Sequence, residues 1–272
     1  MLDIIKAIIL GIIEGITEWL PISSTGHLII ADEFIKLNLS SEFMEMFNVV
    51  IQLGAILAVV VIYFKKLWPF SLKKEEHYIK KDVFSMWFKV IVAILPAAII
   101  GIPLDDFFEE KFHNYIVVAL ALIIYGVAFI YIEKRNKSLT PKTQSIADMS
   151  YKTALFIGCF QALSLIPGTS RSGSTVLGAI LLGVSRVAAA EFSFYMAVPV
   201  MAGASLIKLL KFGFDFTSTE LIILLTGMLT AFVVSILAIK FLIGYIKKRD
   251  FTAFGYYRIA LGFIVLLYFM FK

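Results

Sequence analysis

The chain alternates long apolar runs with short polar ones. Six runs are long enough to cross a bilayer as helices: roughly 43–64, 84–102, 115–132, 192–210, 221–243 and 254–271, since about 20 apolar residues cover ~30 Å of hydrocarbon. Pro96 and Pro199 fall inside two of them and predict kinks or local unwinding. Residues 4–37 and 153–190 follow a different pattern. Each holds two shorter apolar pieces parted by a polar cluster, Pro21-Ile22-Ser23-Ser24-Thr25-Gly26-His27 in the first and Pro167-Gly168-Thr169-Ser170-Arg171-Ser172-Gly173-Ser174 in the second. Pieces this short predict re-entrant helical hairpins, which dip into the membrane and return. Irregular backbone at membrane depth is tolerated only where protein or a wet cavity covers it, so the two tips are expected to be buried together. The expected fold is an all-α polytopic membrane protein.

Loop charges orient it. The segment 65–83 carries Lys65, Lys66, Lys73, Lys74, Lys80 and Lys81; 133–152 carries Lys134, Arg135, Lys137, Lys142 and Lys152; 244–250 carries Lys247, Lys248 and Arg249. Excess Lys and Arg mark cytoplasmic loops, which places all three inside. The 103–114 stretch, with Asp105, Asp106, Glu109 and Glu110 against Lys111, fits an outer loop. Tracing from these anchors, the first hairpin enters and leaves from outside, and the second from inside. Each half is then one hairpin plus three crossings, roughly 1–135 and 150–272 of a single integral membrane domain, 1–272. Three crossings invert the second half relative to the first. At an offset of 147, Gly11 meets Gly158, Glu14 meets Gln161, Ser23 meets Ser170 and Gly26 meets Gly173. Inverted repeats characteristically place broken helices and binding sites near the midplane.

Composition narrows the class further. The apolar share is 60% and the mean hydropathy +0.91, well above the 45–50% apolar content of ordinary soluble domains. The net charge of +5 sits in the short loops, and no basic, aromatic-interleaved surface for nucleic acid is visible. Cys159 is the one cysteine, which rules out an intrachain disulfide or a cysteine metal site; it is expected to be a small buried apolar residue. The N-terminal run, broken by Glu14 and Glu18, does not match a cleavable signal and is expected to be retained.

The candidate chemistry lies at the two clusters. Glu14 and Glu18 share a helix face with Gly11 and Gly15, a face suited to a packed interior. A charge at membrane depth costs at least ~2.5–3.5 kcal/mol, so a divalent cation or a basic group is expected to offset it, unless both carboxylates sit near an interface. Pro21 should end the first helical piece. Ser23, Ser24 and Thr25 offer hydroxyls and a cap for the next. Ser24 reads either as that cap or as a nucleophile with His27 as its base; His27 could itself be the nucleophile or the acid for a leaving group. In the second cluster, Gly168 and Gly173 let backbone amides approach a ligand. Thr169, Ser170 and Ser172 surround Arg171, and a helix starting here would aim its N-terminal N–H groups at an anion. Arg171 supplies a planar fork for phosphate oxygens, or alternatively a counter-ion for Glu14 or Glu18. The cluster is not a nucleotide-binding P-loop, because Ser174 stands where that loop needs lysine. Asn48, Gln52, Glu191, Lys240 and Arg258 are further intramembrane polar residues with expected structural or supporting roles; the last three could reach an interface by snorkelling. The phenylalanines are expected to face lipid or pack.

The stretch Gly11-Ile12-Ile13-Glu14-Gly15-Ile16-Thr17-Glu18-Trp19-Leu20-Pro21-Ile22-Ser23-Ser24-Thr25-Gly26-His27 resembles the first signature of the undecaprenyl-diphosphate phosphatases of the bacitracin-resistance type, and Pro167-Gly168-Thr169-Ser170-Arg171-Ser172-Gly173 resembles the second. The resemblance in length and hydropathy covers essentially the whole chain, with no departure at the motif positions. It implies a bacterial plasma-membrane hydrolase that converts undecaprenyl diphosphate to undecaprenyl phosphate and inorganic phosphate, recycling the lipid carrier of cell-wall synthesis. It also implies divalent-metal dependence, an active site open to the outer face, and bacitracin tolerance on overproduction; a homodimer is left open. Glu14 and Glu18 match the family's acidic pair, and Ser24, His27, Ser170 and Arg171 its other active-site positions. The combined expectation has Glu14 and Glu18 holding Mg²⁺ or Ca²⁺, both oxygen-seeking cations. Arg171, Ser170 and their neighbours Thr25, Gly168, Thr169, Ser172 and Gly173 bind the phosphates, and Ser24 or His27 supplies the attack or proton transfer. The rival expectations are a transporter of the lipid monophosphate, alone or as a second function, and a small-ion or proton-coupled carrier.

Overall fold

The computed structural model of the protein describes residues 2–37, 39–71, 78–112 and 114–272, without the side chains of Asp105, Asp106 and Glu109. Lys73 and Lys74 of the first basic segment, and those three acidic side chains, thus lie outside the described residues. The helices are α1 (Leu2–Thr17), α2 (Ser24–Phe34), α3 (Ser41–Ile62), the single turn α4 (Phe64–Leu67), α5 (Lys81–Phe112), α6 (Tyr115–Asn136), α7 (Tyr151–Ala162), α8 (Arg171–Leu181), α9 (Arg186–Phe212), α10 (Ser218–Ile246) and α11 (Thr252–Phe271). Extended pairing among the described residues is confined to isolated bridges, Phe70 with Ile79 and Thr143 with Val184.

Six helices are long and apolar enough to cross a membrane: α3, α5 over Lys81–Leu104, α6, α9, α10 and α11. They coincide with the six predicted runs. Large apolar side chains such as Ile99, Leu229 and Leu237, each more than 60% exposed, cover their outer faces, as a lipid solvent requires. The remaining pieces α1, α2, α7 and α8 have 16, 11, 12 and 11 residues, all short of the ~20 a crossing needs. α1 packs on α2 and α7 on α8.

Three local expectations are corrected. The backbone stays α-helical across Pro96 and Pro199, so neither proline unwinds its helix. The acidic stretch after Pro103 is the end of α5 rather than a loop; Phe107, Phe108 and Phe112 make edge-to-face and tilted ring contacts there, with centroids 5.6–6.0 Å apart. Cys159 is exposed rather than buried: α7 presents it on the outside of the bundle, where a thiol is as compatible with lipid as with a core.

The bundle is tied together by pairs of close-packed helices. α1 lies against α10, α5 against α7, α6 against α11, and α3 against both α9 and α10. Small residues set the approach, as is usual between helices in lipid. A Cβ on Gly54 would sit 2.0 Å from the Met228 carbonyl oxygen, and one on Gly158 2.1 Å from that of Ala93. At the basic end, the buried Lys89 ammonium donates to the carbonyls of Ile146 and Ala147, both at 2.9 Å. Buried Glu133 accepts from Arg186 Nε at 2.9 Å and from the Phe251 amide at 3.0 Å. These contacts lock the connecting segments onto the helices that carry the site.

Candidate active site

The two broken segments end in the same unusual backbone feature. Ser23 and Ser170 are the described non-glycine residues with positive φ, at 74° and 70°. Each is an N-cap: Ser23 Oγ accepts from the Gly26 amide at 3.2 Å, and Ser170 Oγ from the Gly173 amide at 3.1 Å. Strained positions of this kind cost ~1–3 kcal/mol and persist only where the surroundings over-determine them. The cap of α2 is therefore Ser23, not Ser24. Gly168, with φ +88°, makes the second tip, and a Cβ there would sit 2.5 Å from the Val118 carbonyl oxygen, so the chain turns flat against α6 only with glycine.

α1 stops at Thr17, earlier than Pro21 alone would demand, and Glu18 begins the turn. The Glu18 amide still donates to the Glu14 carbonyl at 3.0 Å, which keeps the two carboxylates on one side. Both are buried, at 0% and 6% exposed, so the protein and not water surrounds them. Across from them, Arg171 donates through Nε and Nη2 to Glu18 Oε1 at 3.4 and 3.3 Å, and through Nη1 to the Ser193 carbonyl at 2.8 Å. Ser24 Oγ donates to Glu18 Oε2 at 3.4 Å. Ser172 Oγ donates to the Glu18 carbonyl at 2.9 Å and lies 3.2 Å from Ser170 Oγ. The first tip's carboxylates and the second tip's cluster are thus one site, joined directly, with the N-termini of α2 and α8 converging on it.

His27 stands apart from this pairing. Its Nδ1 lies 2.7 Å from the Ser23 carbonyl and its Nε2 2.7 Å from the Tyr257 hydroxyl. A carbonyl only accepts, so in the neutral ring Nδ1 carries the proton and Nε2 accepts from Tyr257. Thr25 is half-buried beside it, whereas Thr169 is almost fully buried and closes a turn onto the Ile166 carbonyl at 3.2 Å. Gly173 packs against Ser170 and Arg258.

Glu14 is the unsatisfied member. No basic or neutral donor among the described residues reaches either of its carboxylate oxygens; its polar neighbour is the Glu18 carboxyl, with which it can share a proton. No group of three or more His, Cys, Asp or Glu side chains suited to a metal occurs among the described residues. Two carboxylates are nonetheless the donor set that Mg²⁺ uses when phosphate oxygens and water complete its shell. Glu18 Oε1 accepts both bonds from Arg171 and Oε2 accepts one from Ser24; a cation between the two carboxylates would take the place of the proton that Glu14 and Glu18 can share.

Residues outside the two motifs complete the site. Ser193 of α9 holds Arg171, Tyr257 of α11 holds His27, and Arg258 of α11 touches both tips. Arg258 does not snorkel to an interface; it is 0% exposed. Its place in the middle of an apolar run was the signal in the sequence, while Ser193 and Tyr257 carried none.

The fold and the site together define a polytopic α-helical membrane protein with a buried acidic centre set against an arginine and two helix N-termini. The chain belongs to the family described as bacitracin resistance protein BacA, whose model matches residues 7–264. It is 67% identical over 270 residues to a protein of Acetivibrio thermocellus named undecaprenyl-diphosphatase, covering 99% of both chains. It is also 64% identical over 267 residues to a protein of that name from Enterococcus faecalis, with 98% of this chain and 97% of the relative covered. A third, from Desulfitobacterium hafniense, is 60% identical over 270 residues, with 99% and 97% covered.

Proposed function

We propose that this protein is an undecaprenyl-diphosphate phosphatase of the bacterial cell membrane, releasing inorganic phosphate from undecaprenyl diphosphate and returning undecaprenyl phosphate to cell-wall synthesis. The observation that carries the chemistry is the meeting of Glu18 with Arg171 at 3.3 Å, which joins the acidic first tip to the anion-binding second tip. Only the head group enters this polar centre; the prenyl chain stays between helices or in the bilayer.

Glu14 and Glu18 would hold a divalent cation, Mg²⁺ or Ca²⁺, which when bound neutralises charge on the pyrophosphate. Arg171, with Nη2 N–H capacity left after Glu18, grips the terminal phosphate along with the Ser170 hydroxyl and the first amides of α8, whose dipole favours the anion. Fixed donors of this kind stabilise charge as it moves onto the phosphoryl oxygens. Ser24 rather than His27 delivers the attack, since His27 Nε2 already accepts from Tyr257. Ser24 Oγ bonds to the terminal phosphorus and passes its proton to Glu18 Oε2. The bond from phosphorus to the bridging oxygen breaks, and undecaprenyl phosphate leaves. A water oxygen then bonds to phosphorus, the bond from phosphorus to Ser24 Oγ breaks, the Glu18 proton returns to Ser24 Oγ, and inorganic phosphate leaves.

The halves are inverted-topology repeats, each a re-entrant hairpin followed by three crossings. The support is the matched strained caps Ser23 and Ser170, 147 positions apart, and the exchange-symmetric pairing of α1 with α10 and of α7 with α5. By the loop charges the N-terminus faces outward, and the family resemblance implies that the site opens to the same side. An enzyme that handles the target of bacitracin in this way should raise bacitracin tolerance when overproduced.

The test is phosphate release by the purified protein in detergent micelles supplied with undecaprenyl diphosphate, with a divalent-metal titration and a search for phosphate on Ser24. Metal-dependent release supports the reading. A protein that moves lipid phosphate across vesicles but releases none in micelles is a carrier, and the proposal fails.

A further inference from the structure

The centre depends on two separate hairpin tips, and one side chain outside both of them bonds to each. Arg258, fully buried in α11, donates through Nη1 to the Pro21 carbonyl at 3.1 Å and through Nη2 to the Gly168 and Thr169 carbonyls, both at 2.9 Å. It forms no ion pair with a carboxylate among the described residues; its other neighbour is the Tyr125 ring, 5.5 Å from the guanidinium carbon. A buried guanidinium without a counter-ion is costly, so three carbonyl dipoles carry its charge. These carbonyls belong to the turns between the broken helices, outside α1, α2, α7 and α8, and a membrane interior offers no water to hydrogen-bond them. They also flank the strained backbone: Pro21 precedes Ser23 by two residues, and Thr169 immediately precedes Ser170.

We propose that Arg258 is a positioning residue for the phosphatase reaction, a single fork that fixes the spacing of the two tips and holds both strained caps, so that Ser24 and Glu18 on one side stay in register with Arg171 on the other. Bonds to two tips from one planar group set their separation in a way that two independent contacts do not. Lysine, with a point charge and tetrahedral donors, reaches fewer of the three carbonyls. The inference rests on the two tips being the catalytic site.

The experiment compares Arg258→Lys and Arg258→Gln with the wild type and with Arg171→Lys, as purified full-length proteins in detergent. It measures kcat and KM for undecaprenyl diphosphate on the monodisperse fraction. Loss of register predicts that Arg258→Gln lowers kcat by about 100-fold, the scale of a catalytic group misplaced by about an ångström, and leaves KM within a few-fold because the prenyl chain still binds. Arg258→Lys should recover part of kcat. The Arg258→Gln/Arg171→Lys double variant should lose less than the product of the single losses, since residues acting through one geometry are not additive. If Arg258→Gln does not fold, Arg258→Lys decides. Wild-type kcat in a folded Arg258 variant, or a loss that matches only its unfolded fraction, overturns the inference while leaving the site standing if Arg171→Lys is inactive. Absence of turnover in the wild type instead sinks the catalytic reading itself.

Discussion

The two carboxylates of the site should respond in opposite directions when each is made an amide. Glu14 is 0% exposed and has no basic or neutral donor on either oxygen among the described residues. Glu18 is tied by Arg171 at 3.3 and 3.4 Å and by Ser24 at 3.4 Å. Without metal, Glu14→Gln removes an acid that burial would otherwise force to take up a proton or share one with Glu18; the amide needs neither, so the protein should regain stability. Glu18→Gln instead takes the charge out of a buried pair and leaves the Arg171 guanidinium, whose side chain is 11% exposed, facing only a neutral amide oxygen and Ser193. Removing one partner of such a pair costs about 3–5 kcal/mol. Thermal unfolding in detergent separates the cases. With chelator present, Glu14→Gln should melt above wild type and Glu18→Gln below it. On titration with Mg²⁺ or Ca²⁺ the wild type should gain stability by mass action, while Glu14→Gln gains little. Both should lose nearly all turnover. Equal destabilisation by the two amides would mean that Glu14 has a donor after all, and an undiminished metal-induced shift in Glu14→Gln would remove it from the ligand set.

Arg171→Lys keeps the charge but not the fork that reaches Glu18 and Ser193 together, and should cost ~2–4 kcal/mol of transition-state stabilisation, measured as kcat/KM for phosphate release; near-full turnover would make the residue a counter-ion only. Gly54→Ala places a methyl 2.0 Å from the Met228 carbonyl oxygen and should destabilise by about 1–3 kcal/mol through overpacking. Gly203→Ala, with nothing within 4 Å, should melt at or above the wild-type temperature, and a comparable loss at both positions would count against α3–α10 packing as the cause. For orientation, with the exposed Cys159 replaced by serine, a cysteine at Glu110 should react with an impermeant thiol reagent in intact cells and one at Lys137 should not; the reverse pattern would invert the topology.

Much of this architecture was legible in the sequence because the bilayer imposes a simple rule. A segment either carries about 20 apolar residues and crosses, or it does not, and all six crossings follow from counting. The two polar clusters were equally visible, since Pro, Gly and hydroxyl residues inside apolar runs have few physical uses at membrane depth. Their candidate chemistry was named from residue type: Glu14 and Glu18 at helical spacing, Ser24 and His27 beyond the break, and Arg171 among hydroxyls and glycines. Local propensity was less reliable. The prolines at 96 and 199 read as kinks or local unwinding, yet the backbone stays α-helical through both.

What the sequence could not specify is which of these groups pair with one another. That Ser23 rather than Ser24 caps α2, that Glu18 rather than Glu14 faces Arg171, and that His27 is held by Tyr257 are each decided by angles around helices that meet only in three dimensions. Arg258 is the clearest instance. A lone arginine in an apolar run announces a polar partner or a route to an interface, and nothing in its neighbours along the chain chooses between them. Its partners are backbone carbonyls, which every residue possesses and which therefore leave no mark in the sequence. They become available only where two helices break, and they come within reach of one guanidinium only when both tips have been folded to the same point.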